Sequence, residues 1–332
     1  MDKIYTAIEH RLHQFATLPA LPAPKRDRHG LAMVCIAKNE ERYLPEWIAF
    51  HRLVGARHFY IYVNDRVDAA CHAVKRFIED GLVTVIPWDN YTTVASPQTL
   101  AYAHALANFG PYYRWMAFID VDEFLFPVSH ATLLEALDQF QDLSGLAVPW
   151  HLFGTSGHAV PPPGLVTEHY QMRAPFPPRA IDYQMLQYKS VVDPAAVLSM
   201  KNSHWFYLPD GTRAAFTEGR HKLNMVSEHL PSLAQSRVFR LNHYFTRSAS
   251  EIVAKMHGGR ADRPGAPRGT RGKFIRTKRI WQLIERAPVH DTLIQRFLPD
   301  LKQALVPHEA TVHAHRSMAR RAETLTPLRV SG

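Results

Sequence analysis

Asp120-Val121-Asp122-Glu123 closes an apolar run, Trp115 to Ile119, and three acids in four residues at such a place call for an explanation. In an extended segment, residues two apart face the same side, so Asp120 and Asp122 can meet one ion while Val121 faces away. Acids at the end of a buried strand need a cation or a full shell of hydrogen bonds. Hard carboxylate oxygens favour Mg²⁺ or Mn²⁺, ions that keep places open for phosphate oxygens. Taken alone, the same spacing serves equally well as a solvated acidic turn. Two earlier apolar runs also end in polar residues, at Asn39-Glu40 and Asn64-Asp65. If those runs are parallel strands, all three clusters share one rim of a sheet, where α/β proteins bind ligands.

The elements that must position these groups can be read from periodicity. Leu31 to Ala37, His58 to Val63 and Leu82 to Ile86 are short runs rich in strand formers. Residues 43–54 and 69–79 between them carry helical patterns, with Gly55 and Gly81 as stops. This alternation predicts a doubly wound, mostly parallel sheet flanked by helices. Helices are expected at 97–109, 132–140, 248–256 and 278–305, and strands at 115–119, 145–150 and 237–244. Residues 151–240, with Pro161-Pro162-Pro163 and Pro175 to Pro178, read as short strands and loops. The expected organisation is an N-terminal helix and Pro-rich linker over 1–27, one α/β domain over 28–257 and a basic extension over 258–332.

In chain order, several pieces resemble the family 2 and family 92 glycosyltransferases. They are Cys35-Ile36-Ala37-Lys38-Asn39-Glu40, Leu44-Pro45-Glu46-Trp47 with His51, and Gly55 to Tyr62. They continue with Phe118 to Phe124, Phe153-Gly154-Thr155-Ser156-Gly157, Lys189-Ser190-Val191-Val192, and Leu241-Asn242-His243-Tyr244 with Ser248 and Lys255. The resemblance runs from about residue 31 to 262 and implies a GT-A fold with a DXD-type metal motif. It implies donor-nucleotide contacts near Asn39, Glu40, Asn64 and Asp65, a metal–diphosphate held by Asp120 and Asp122, and His243 as a late metal ligand or phosphate contact. Val63-Asn64-Asp65-Arg66-Val67-Asp68 departs from the family's usual ending of that strand, which leaves open whether Asn64, Asp65 or Asp68 meets the base or ribose. Without the resemblance, His243 reads as a core histidine, and His204 before Trp205-Phe206-Tyr207 is a weaker case of the same kind.

The reaction so implied is transfer of a hexose from a nucleotide sugar, UDP-hexose foremost, to a glycan or lipid-linked acceptor, with inversion. Negative charge builds on the departing diphosphate, and a divalent ion with a cation such as Lys189 would stabilise it. An inverting step needs a general base for the acceptor hydroxyl. Glu168 is the candidate, although a surface carboxylate explains it as well. A metal-dependent nucleotidyltransferase would use the same paired acids, and a non-catalytic carbohydrate- or polyanion-binding protein could keep the same fold.

Composition narrows the setting. The 332 residues are 46% hydrophobic and 21% charged, as in globular domains with a large core. Two cysteines, Cys35 and Cys71, form no zinc spacing and point to a reducing, cytoplasmic setting. The net charge of +9 is concentrated after Gly258, at Arg260, Arg263, Arg268, Arg271, Lys273, Arg276, Lys278 and Arg279. No zinc-finger spacing there supports nucleic acid; a solvated, flexible segment accounts for the charge, and a lipid-linked or acidic acceptor, or a membrane met peripherally, would suit it.

Overall fold

The computed structural model describes residues 21–88, 96–178, 185–200, 204–209, 216–223, 235–257 and 271–306, with the backbone alone at 271–273. The expected N-terminal helix, the segment 258–270 and the tail beyond 306 lie outside these residues.

Leu31–Ala37 forms β1 and is buried along its whole length. Its unbroken apolar run has a simple cause. Leu31, Met33 and Cys35 pack into one core layer, and Ala32, Val34 and Ile36 into another on the opposite face. Leu44–Leu53 (α1) leads to Ala56–Val63 (β2) through Gly55, whose φ of +101° suits a residue without a Cβ. The expected helix over 69–79 is two short ones, Val67–Ala73 (α2) and Lys75–Glu79 (α3), and Val83–Pro87 (β3) follows. Pro97–Asn108 (α4) returns the chain to Trp115–Phe118 (β4). These four strands are parallel in the order β3-β2-β1-β4, so the ends of β1, β2 and β4 share one rim as the pattern required.

The second half is mixed. It contains Glu123–Pro127 (β5), Leu133–Asp138 (α5), Gly145–Leu152 (β6), Val166–His169 (α6), Met172–Arg173 (β7), Tyr188–Val192 (β8), Ser199–Met200 (β9), Phe206–Tyr207 (β10) and Phe239–His243 (β11). The main sheet runs β3-β2-β1-β4-β8-β6-β11-β5. Four of its neighbouring pairs are parallel and three antiparallel, which makes it the mostly parallel α/β sheet expected. In that order β4 and β5 stand four places apart, roughly 19 Å in a flat sheet. Yet they are joined by a tight turn in which Glu123 N donates to Asp120 O at 3.0 Å, a span of less than ~7 Å. The sheet must therefore curl until its far edge meets its middle, and the acidic turn sits on that seam.

β5 was not legible as a strand in the sequence. Its pairing partner is β11, and side chains of α1 satisfy backbone groups on it. Trp47 Nε1 donates to Glu123 O at 2.9 Å, and Leu125 N donates to His51 Nε2 at 3.0 Å. His51 gives its one ring hydrogen, on Nδ1, to Trp47 O at 2.8 Å. Burial pushes its pKa down to about 3, so it stays neutral and free to accept. Glu46 on the same helix accepts from Val166 N at 2.7 Å, Thr167 N at 2.9 Å and Thr167 Oγ1 at 2.8 Å, tying down α6. Glu46→Ala would strand these buried donors, and we expect a loss of about 2–3 kcal/mol, read from the urea midpoint.

Beyond Ala249–His257 (α7), the one helix expected over 278–305 is instead Arg271–Arg286 (α8), Val289–His290 (β12) and Leu298–Leu305 (α9). Ile284 and Leu301 are fully buried, and β12 pairs with β7, so this part packs on the same body. No described helix is long and apolar enough to cross a membrane.

Candidate active site

The turn between β4 and β5 carries the acids. The extended geometry expected for Asp120 and Asp122 is replaced by this β-turn, in which Val121 is buried. Register does the rest. β11 runs antiparallel to β5 with His243 directly opposite Glu123, and Tyr244 N donates to Asp122 O at 2.8 Å. β8 runs antiparallel to β4 with Ser190 opposite Phe118, which brings Lys189 beside Asp120.

Two charge clusters result. In the inner one, Lys189 Nζ lies 2.7 Å from Asp120 Oδ2 and 3.6 Å from Glu123 Oε2, and its side chain is 2% exposed. Gln98 Nε2 donates to Asp120 Oδ1 at 2.8 Å, and Asp120 N donates to Glu123 Oε2 at 2.9 Å. Burial penalises the Asp120 carboxylate, but Lys189 outweighs it and holds the pKa below the usual range. In the outer cluster, His243 Nε2 lies 3.4 Å from Asp122 Oδ1 and Lys255 Nζ lies 2.9 Å from Asp122 Oδ2. Burial opposes ionisation of Asp122, but Lys255 and His243 override it and keep its pKa well below normal. Burial lowers the pKa of His243, and it raises that of Glu123 well above the usual range.

Among the described residues, Asp122, Glu123 and His243 form a group whose ligand atoms lie within 4.8 Å of one another. Glu123 Oε1 and His243 Nδ1 are buried, make no hydrogen bond and stand 3.8 Å apart. A buried polar atom without a partner costs free energy, so two facing each other indicate a missing third party. Two carboxylates and an imidazole are a donor set that Mn²⁺ or Mg²⁺ accepts. The residues present fit such an ion.

The sequence profile of glycosyltransferase family 92 matches residues 32–251. The chain belongs to glycosyltransferase family 92.

The family 92 proteins similar to it include one from Oryza sativa subsp. japonica, 28% identical over 217 residues, covering 60% of this chain and 35% of that protein. Another, from Ricinus communis, is 28% identical over 194 residues, covering 56% of this chain and 33% of that protein. The chain thus spans about a third of the length of the curated relatives it matches. Among solved structures, S. aureus TarS 1–349 in complex with UDP aligns over 64% of this chain and 60% of that one, at a TM-score of 0.35 and 12% identity.

Within this family 92 domain, the strand-end residues have distinct surroundings. Asp65 Oδ1 accepts from Asn39 N at 3.3 Å, linking the ends of β1 and β2. Asn64 donates from Nδ2 to Trp88 O at 2.9 Å and is buried. Glu40 accepts from Arg247 Nη2 at 2.8 Å. Arg247 also lies 3.7 Å from the Tyr43 ring centre, and Tyr43 bonds Glu251. Glu168 is placed elsewhere. Its carboxylate pairs with Lys302 of α9 at 2.6 Å, and none of its bonds reaches the two clusters. His204 lies behind Lys189 with Nδ1 2.7 Å from Tyr188 O, and burial, then Lys189, lowers its pKa to about 4. Arg247 and Gln98 carried no sequence signal of their own, and Glu123 was one of the motif's three acids but had no ligand role attached. Lys255 was part of the resembling set but had no role attached.

Proposed function

We propose that this domain transfers a hexose from a nucleotide sugar, UDP-hexose foremost, to a glycan or lipid-linked acceptor with inversion. Mn²⁺ or Mg²⁺ would be held by Asp122 and His243, as the resemblance implied, with Glu123 where Asp120 was expected. When bound, the ion supplies Lewis-acid charge against the donor's diphosphate. The observation that carries the reading is the pair of buried, partnerless atoms on Glu123 and His243, set beside the ionised Asp122.

The chain's own groups account for the rest. Asp122 is kept ionised by its two neighbours, and His243 neutral by burial, so both are in ligand form, while Glu123, whose pKa burial raises, would give up a proton to the ion. Asp120 stays anionic against Lys189 and orders the turn. Asn39 and Asp65 flank the crevice between β1 and β2, where a nucleoside would lie. For Glu168 to act as base, its carboxylate must first part from Lys302. A peripheral membrane contact in the cytoplasm fits Arg276, Lys278 and Arg279, which are exposed on α8.

A panel of nucleotide sugars with and without Mn²⁺ tests this. One donor should raise the melting temperature far more with the ion present than without it, since a ligand at 100 times its Kd stabilises by about 2.7 kcal/mol. Turnover should then release a nucleoside diphosphate. Release of pyrophosphate would assign a nucleotidyltransferase instead, and stabilisation by no nucleotide at all would leave a binding protein that kept the fold.

A further inference from the structure

The leaving-group cation need not be Lys189. That ammonium is satisfied by Asp120 and Glu123 and is 2% exposed. Lys255 is a cation on the open side. Its side chain is 41% exposed, and it holds Asp122 Oδ2 at 2.9 Å while donating to Phe245 O at 3.1 Å. Its ammonium also stands 4.6 Å from the centre of the Phe245 ring. A flexible four-carbon stem lets an ammonium turn from a carboxylate to a phosphate oxygen while its base stays put. Arg247 adds charge behind it. Its backbone is left-handed at φ 49°, a conformation that persists where the surroundings enforce it. Its Nε is buried and makes no hydrogen bond. Burial works against that guanidinium, but Glu40 and Asp122 outweigh it and keep it charged.

Resting on the nucleotide-sugar reading, we propose that Lys255, steadied by Phe245 and backed by Arg247, takes the diphosphate of the donor and holds its charge as the bond to the sugar breaks. The sugar–oxygen bond breaks, its electron pair stays on the diphosphate, and the acceptor oxygen forms the new bond as its proton passes to a base.

The test is calorimetric titration of the full chain with UDP, GDP, ADP and CDP and with the matching monophosphates, in EDTA and in Mg²⁺. Lys255→Met should weaken the preferred diphosphate roughly tenfold or more in both buffers. Its monophosphate should bind as before; the melting temperature falls with loss of the cation beside Asp122, so the readout is the contrast between mono- and diphosphate, which a merely structural loss would not produce. Lys255→Arg should recover most of the loss. An equal loss for mono- and diphosphate, or none, overturns the assignment of Lys255 and leaves the proposed function standing. Failure of the unmutated chain to bind any nucleoside diphosphate in either buffer overturns both.

Discussion

Asp122→Asn should lower transfer by roughly a thousandfold, the scale set when several kcal/mol of metal-centred charge stabilisation is lost. The amide matches the carboxylate in shape, and the backbone carbonyl that accepts from Tyr244 N is untouched. Only the charge facing His243 and Lys255 is removed. Lys255 is 41% exposed, so its ammonium stays hydrated and the fold should survive. Steady-state kinetics, with nucleotide titrations in Mn²⁺ and in EDTA, would check this. The metal-dependent increment in binding should vanish along with turnover. Near-normal turnover in the variant would remove Asp122 from the chemistry.

The second large effect is on stability. Lys189→Met leaves Asp120 and the fully buried Glu123 without their shared cation. Breaking a buried ion pair from one side costs about 3–5 kcal/mol, because an uncompensated charge remains. The urea midpoint should fall accordingly. Adding Asp120→Asn to Lys189→Met should return part of the loss, since neighbours sharing one network are non-additive. A Lys189→Met chain as stable as the parent but inactive would instead give Lys189 the leaving-group role expected from the sequence.

The parallel half of the sheet was readable because β1 and β2 are continuous apolar runs ending in polar residues. Covered on both faces, β1 throughout and β2 from Phe59 on, they have no choice but to be apolar there. The mixed half was not readable. β5 begins inside the acidic motif itself, so Glu123 looked like a third loop acid rather than the first residue of a strand. An extended reading of Asp120 to Asp122 also missed that the sheet curls, which needs a turn there. The partners of the acids are far along the chain. Lys189 lies 69 residues from Asp120, and Lys255 lies 133 from Asp122, so local spacing could not join them. His243 was found only through the resemblance, since one histidine in an apolar strand looks like core. The break of α8 from α9 falls at Pro288, a helix stop that the single-helix reading passed over, and the pairing of β12 with β7 is a long-range event.

That late pairing bears on how the protein can be cut. The family match stops at residue 251, yet Ile294 and Leu301 complete the main core beneath α1. Glu285 on α8 accepts from Thr155 N at 2.7 Å, and Asp291 bridges Arg173 and Arg240. A chimera or shortened fragment built to the family boundary would therefore lose the keystone of its own hydrophobic interior. The unit that evolution can shuffle intact is longer than the stretch by which its kinship is recognised.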